Sequence, residues 1–322
     1  MRKVSTYKMA FTLLTATSLL AGCSGDDFNG GGPVSSKSNS ITFNTNVSNF
    51  VSKATTYDDQ TALQTEGSFT CTAYNAGTTT AYTGPTRVVW SENKWRYVTG
   101  SSHDWPGTSA LDFFAYMPAT KPGYITSISY GTARQPQFVC TGLPTTAEGQ
   151  KTLKEFICAL ETDKTQADSP SGVSMTFKHP FAKLMFELTN PASDGITINS
   201  ITIAPSTPAN VFKTGGTCTY NNTNEKWEWS SLTGEVGSIV ASLNTPFLVI
   251  PNDYNATTFT ITVDATYNNI SKVEHVIGTA TINKQNTDGE DLMVWEAGYS
   301  YTFRLTLSPE RLEVSYKWTE QW

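Results

Sequence analysis

The stretch Tyr299-Ser300-Tyr301-Thr302-Phe303-Arg304-Leu305-Thr306-Leu307 sets an apolar side chain at every second position, with polar residues between. A pleated strand turns alternate residues to opposite faces, so this stretch has one face for a core and one for water. Ser308-Pro309-Glu310 follows as a turn, where the missing proline N–H breaks no ladder. The alternation then resumes in Leu312, Val314, Tyr316 and Trp318, and the whole segment predicts a β-hairpin.

The same period recurs toward the N-terminus. It runs through Ile41, Phe43, Thr45 and Val47, and again through Ala182, Leu184, Phe186 and Leu188. Ile196 and Ile198 are followed, after a break, by Ile201 and Ile203; Phe259, Ile261, Val263, Ala265 and Tyr267 form another set. Phe247-Leu248-Val249-Ile250, closed by Pro251, is continuous and predicts a strand covered on both faces. Leu153, Phe156, Ile157 and Leu160 recur at helical spacing and predict a short helix or helical turn between sheets over 150–161. Aromatic residues make up 12% and charged residues only 16%, which with plentiful Thr and Ser favours half-buried sheets over helical bundles. The fold class expected is all-β. A polar break at Asp163–Gly172 divides residues 41–165 from 172–322, each long enough for a β-sandwich core of its own.

The first residues read as a targeting segment. Arg2, Lys3 and Lys8 precede an apolar stretch from Met9 to Ala21, short for a bilayer span. Leu20-Ala21-Gly22-Cys23 resembles a lipobox, which implies removal of residues 1–22 and acylation of Cys23. Several acyl chains give stable membrane anchoring where one does not. Ser24-Gly25-Asp26-Asp27 resembles the acidic surface-export signal of Bacteroidetes lipoproteins, and residues 23–40, with Gly30-Gly31-Gly32, read as a flexible tether. Without residues 1–22 the chain keeps 19 basic and 28 acidic residues, a net charge of −9. No basic stripe is present, so nucleic acid is not an expected partner.

No catalytic residues, cofactor or metal site are expected. His103, His179 and His275 stand at no metal-ligand spacing. His103-Asp104 lies near Ser101 and Ser102, but no G-x-S-x-G elbow accompanies it. His179 reads as a hydrogen-bonded junction residue. Cys71, Cys140, Cys158 and Cys218 read as buried apolar residues, with Cys140–Cys158 the one pairing to test if the compartment oxidises them. Trp90, Trp95 and Trp105 read as core, with a sugar-stacking platform as the alternative.

Six stretches in series resemble the fimbrillin family of Bacteroidetes, the Mfa-like or type V pilins. They are Ile41–Asn44; Gly67–Tyr74; Trp90 through Trp105-Pro106 into Leu111–Pro118; Phe177–Leu184 (FKHPFAKL); Phe247–Pro251; and Ala297–Phe303 with the terminal Trp322. The resemblance implies two tandem transthyretin-like β-sandwiches and export as a lipoprotein to the outer membrane surface. It also implies trypsin-like cleavage after a basic residue, loss of the first strand, and filling of the groove by a strand from a neighbouring fimbrial subunit. Mapped here, Ile41, Phe43 and Val47 belong to the removable strand and Lys53-Ala54 is the scissile bond. Leu312, Val314, Tyr316 and Trp318 form the donor candidate. The family usually shows arginine where Lys53 stands, which points either to a different protease or to a subunit that keeps its own strand, such as an anchor or accessory pilin; the sequence ends soon after the donor candidate, a second sign of a non-standard subunit. The partners expected are other fimbrial subunits, the membrane through its lipid, and a host or bacterial surface ligand. The alternative reading is a monomeric glycan-binding surface lipoprotein.

Overall fold

The structure is a computed structural model that describes residues 39–47, 59–131, 133–189, 195–205, 211–253, 258–269, 272–283, 294–308 and 311–321. It is all-β. The first half holds β1 (Thr42–Val47), α1 (Gln60–Glu66), β2 (Ser68–Asn75), β3 (Thr86–Ser91), β4 (Lys94–Tyr97), β5 (Leu111–Met117), β6 (Ile125–Tyr130), β7 (Pro136–Cys140), α2 (Ala147–Lys151) and β8 (Ile157–Lys164). Then come β9 (Val173–Phe177), β10 (Ala182–Leu188), β11 (Ile196–Pro205), β12 (Phe212–Asn221), β13 (Lys226–Val236), β14 (Ile239–Ala241) and β15 (Phe247–Val249). The last are β16 (Asn252–Asp253), β17 (Thr258–Asn269), β18 (Lys272–Asn283), β19 (Val294–Trp295), β20 (Tyr299–Ser308) and β21 (Arg311–Gln321).

One seven-stranded sheet runs β8-β5-β2-β3-β4-β1-β9. It curls around an apolar core that takes Phe43, Phe69, Trp95, Phe113, Ile157 and Phe177 from six of its strands. Its two ends meet where Cys158 and Lys178 exchange backbone hydrogen bonds of 2.8 and 3.2 Å. Two four-stranded sheets, β15-β10-β20-β21 and β14-β11-β17-β18, share a second core that includes Phe186, Ile203, Val263 and Phe303. That is a β-sandwich, with inward residues alternating along each strand. The break in the isoleucine pattern of β11 is a register shift between Ile198 and Ser200, which returns Ile201 and Ile203 to the core side.

A third core lies behind both. It gathers Phe114 and Cys158 from β5 and β8, Leu248 from β15, and Phe138, Cys218, Tyr220 and Trp227 from a sheet ordered β13-β12-β7-β6. That sheet joins a hairpin of the first half to a hairpin of the second through β7–β12 pairing. Across the break at 163–172 the chain returns to the first sheet, where β9 pairs in parallel with β1.

The helix expected over 150–161 is corrected. Only Ala147–Lys151 is helical, and Ile157–Lys164 is strand β8. Ile157 and Ala159 enter the first core, while Phe156 and Cys158 enter the third, with Leu153 and Leu160 packed against it. Burial on both faces erases the period of two and leaves a spacing that imitates a helix. Helix α1 carried no apolar stripe, since only Leu63 is buried. Its caps define it instead. The Asp59 carboxylate accepts from the Ala62 N–H at 2.7 Å, and Gly67 takes a φ of 74° to end the helix.

Candidate functional site

Strand β1 is set inside the first sheet rather than on its rim. It pairs antiparallel with β4 at Thr42 and Phe43, and parallel with β9 from Phe43 to Val47. Ile41, Phe43, Thr45 and Val47 are all buried, as the period of two requires. The Phe43 ring stands edge-on to Phe69, Tyr97 and Phe113, with centroids 5.2–5.9 Å away. Just before the strand, the Ile41 N–H donates to the His103 carbonyl at 2.8 Å and the Trp105 N–H to the Asn39 carbonyl at 2.9 Å.

The turn into β9 is shaped to accept this strand. Gly172 has a φ of 109°, and a Cβ there would come within 3.0 Å of the Thr42 and Phe43 backbone. Only glycine serves both needs. In the sequence Gly172 stands as one more residue of the polar break, because the partner strand lies far away in the chain. Asn44 adds a side-chain bond to the Ser171 carbonyl at 3.0 Å.

At the other end, β21 pairs antiparallel with β20 in the hairpin the alternation predicted, and it forms the edge of its sheet. Val314 packs half-buried against the sandwich core, and Glu313 and Ser315 are exposed. The backbone of Leu312, Tyr316 and Trp318 is paired opposite Leu307, Phe303 and Tyr301. Their side chains lie outside the described residues, as do Cys23, Lys53 and Ala54.

The other residues singled out in the sequence fall at separate places. Trp95 and Trp105 are buried in the first core and Trp90 packs against it. His179 is buried, with Nδ1 2.6 Å from Glu155 Oε1. His103 stands edge-on to Tyr97 and lies 3.4 Å from the Thr86 hydroxyl. No group of three or more metal-ligating side chains is assembled among the described residues. Cys71, Cys140, Cys158 and Cys218 are buried free thiols, and burial pushes each of them up, that of Cys140 to about 12.

Asp112 carries no signal in the sequence that sets it apart from its motif. It sits fully buried on β5 inside the motif LDFFAYM. Arg134 donates to it twice, at 2.7 and 2.9 Å, and also to Asp163 at 2.8 Å. The Tyr130 hydroxyl (3.1 Å), the Asp163 N–H (2.9 Å) and the Gly77 N–H (3.4 Å) also donate to it. The paired carboxylates hold the Arg134 guanidinium above its ordinary value, while burial and the Asp112 charge raise the Tyr130 phenol. This network pins the β6–β7 hairpin to the first sheet.

Among the described residues the fold is all-β with three cores, a strand threaded between two others near the start and an edge strand near the end. A family model described as fimbrillin-like matches residues 34–322, and the chain belongs to that family. Membership sets it among fimbrial proteins of the cell surface and implies interaction with other fimbrial subunits. Among solved structures, a fimbrial protein of Bacteroides vulgatus is similar over 88% of this chain and 99% of its own, at 14% identity and a TM-score of 0.55. A candidate cell adhesion protein of Bacteroides uniformis is similar over the same shares, at 16% identity and a TM-score of 0.55. Another from Bacteroides ovatus covers 88% of this chain and 97% of its own, at 16% identity and a TM-score of 0.50. At such identities the likeness is one of fold. No curated protein sequence matches the chain.

Proposed function

We propose that this chain is a structural or accessory subunit of a cell-surface fimbria, joined to its neighbours by strand addition and contributing to adhesion rather than to bond chemistry. In this reading Cys23 carries the lipid that holds it at the outer membrane. Cleavage at Lys53-Ala54 releases β1, and a strand like β21 fills the space in the next subunit. A subunit that keeps β1 serves as an anchor.

The observation that carries the reading is the position of β1, paired on both sides and with its inward side chains Phe43, Thr45 and Val47 buried. Its loss would open an apolar slot flanked by two rows of unpaired backbone groups. A donor with alternating apolar residues satisfies both at once. The contact is head-to-tail and does not close, so it generates a filament. Each fully buried Phe, Val or Leu of a donor contributes about 1.5–3 kcal/mol before entropy is counted.

N-terminal sequencing of protein recovered from cells tests the processing step. A start at Ala54 is expected for a polymerising subunit, and a blocked, lipidated Cys23 for an anchor. Treatment of the full chain with a trypsin-like protease should give heat-resistant ladders on a gel that disappear when residues 312–322 are removed. Protein that stays single after cleavage of Lys53-Ala54 would count against strand addition.

A further inference from the structure

Strand β1 is held unequally along its length. Its start is clasped by residues 103–105. The Ile41 N–H donates to the His103 carbonyl (2.8 Å) and the Trp105 N–H to the Asn39 carbonyl (2.9 Å). The Asn39 amide donates to the Trp105 carbonyl (3.2 Å), and the Ser40 hydroxyl to Asp104 Oδ1 (3.0 Å). Thr42 and Phe43 then pair with Arg96 and Trp95 of β4, and Phe43 also with Val173 of β9. The rings of Phe69, Tyr97 and Phe113 pack edge-on around Phe43.

The other end lacks these supports. Strand β4 begins at Lys94, just after a turn in which Glu92 and Asn93 take left-handed φ values of 53° and 59°, so its register with β1 covers only Thr42 and Phe43. Among the described residues, Thr45, Asn46 and Val47 pair only with Met175, Thr176 and Phe177 of β9. The Val47 N–H donates to the adjacent Asn46 side chain at 3.0 Å instead of to a strand. The Thr45 hydroxyl is buried and has no hydrogen-bond partner among the described residues. A hydroxyl in that state has lost its water without compensation, so this half of the strand opens more readily than the clasped half.

Unequal ends impose an order on replacement. A strand leaving all at once would bare the whole apolar slot and two rows of backbone groups. A strand that opens at Val47 uncovers only the edge of β9 at Met175–Phe177, where an incoming strand can pair while residues 39–43 still hold. An incoming strand with an apolar side chain in the place of Thr45 also fills that position without a stranded hydroxyl.

We infer that a strand from another fimbrial subunit docks first on β9 beside Thr45–Val47 and displaces β1 from there toward Thr42, with the clasp at residues 103–105 released last. The inference rests on the strand addition proposed above, and it adds the entry point and the side chain the partner carries opposite Thr45.

The test follows β1 in the full chain cut between Lys53 and Ala54. Release of β1 is timed by its exchange for a labelled peptide of residues 39–53, and it should quicken as peptide is added. A peptide carrying Val47→Glu should lose about tenfold or more of that acceleration, the scale of one buried valine. A peptide carrying Ile41→Glu should keep the acceleration within about twofold, because its contact forms last, and should occupy less of the groove at equilibrium. Both changes sit in the peptide and leave the fold of the chain intact. In the chain itself, Thr45→Val should slow the assisted release about tenfold, the scale of one stranded buried hydroxyl. Equal loss from the two peptides, loss from Ile41→Glu alone, release independent of peptide concentration, or release indifferent to Thr45→Val overturns the entry point and leaves strand addition standing. A groove that accepts no peptide at all overturns both.

Discussion

The first and last strands of the described chain carry the same alternation and occupy opposite situations. Strand β1 has a partner on each side and three buried side chains, Phe43, Thr45 and Val47. Strand β21 has a partner on one side, and its Val314 is only half-buried. Periodicity therefore reports which side chains face inward but not how many neighbours the backbone has. The cost of removing a strand depends on the second quantity as much as on the first. Losing β1 splits a ladder in two and empties part of a core, whereas β21 can exchange its pairing at an edge that already exists.

Substitution on the two strands should separate them. Phe43→Ala leaves a cavity among Phe69, Tyr97 and Phe113 and is expected to destabilise by about 3–5 kcal/mol in urea unfolding. Val314→Ala, made at the half-buried edge position, should cost less than about 1 kcal/mol. Equal losses would erase the contrast between the strands. Between these extremes, Arg134→Met strips the partner from a buried carboxylate and should cost about 3 kcal/mol by the same measurement. Asp112→Asn combined with it should recover part of that loss, because the uncompensated charge is gone.

Gly172→Ala sharpens the comparison from the side of the neighbour. It introduces a strained backbone and a Cβ against the backbone of β1, at a cost of about 1–3 kcal/mol. Amide exchange should quicken in β1 and β9 while β20 and β21 stay as they were.

A smaller effect is expected with pH. The buried thiols keep their protons in the folded state well above the ordinary value of 9.0, to about 12 for Cys140. The unfolded chain releases those protons first, so the folded state binds more protons and stability falls as pH rises from about 9 toward 12. Well below pH 9 both states keep these protons and the groups contribute no pH dependence. Alkylation at neutral pH should leave all four thiols unmodified until denaturant is added.

Strands with one wet face were legible in the sequence. The β20–β21 hairpin, the inward set of β1 and the interrupted isoleucines of β11 all lie where the alternation placed them. Strands with two dry faces were legible only as apolar runs. Phe247-Leu248-Val249 read correctly, while Phe156 through Leu160 imitated a helix because its side chains divide between two cores. The network around Asp112 was invisible for a different reason. Its partners Arg134 and Asp163 lie 22 and 51 residues away in the chain and meet it only through the tertiary fold.

The sequence by itself determined the all-β class, the inward face of most strands and the resemblance to fimbrillins, because each follows from local side-chain order. Tertiary structure alone decided that β1 is an interior strand, that β9 returns across the break to hold it, and that hairpins from both halves share one sheet. Those are matters of backbone pairing between distant segments, and backbone hydrogen bonds carry no signature of the side chains that happen to sit beside them.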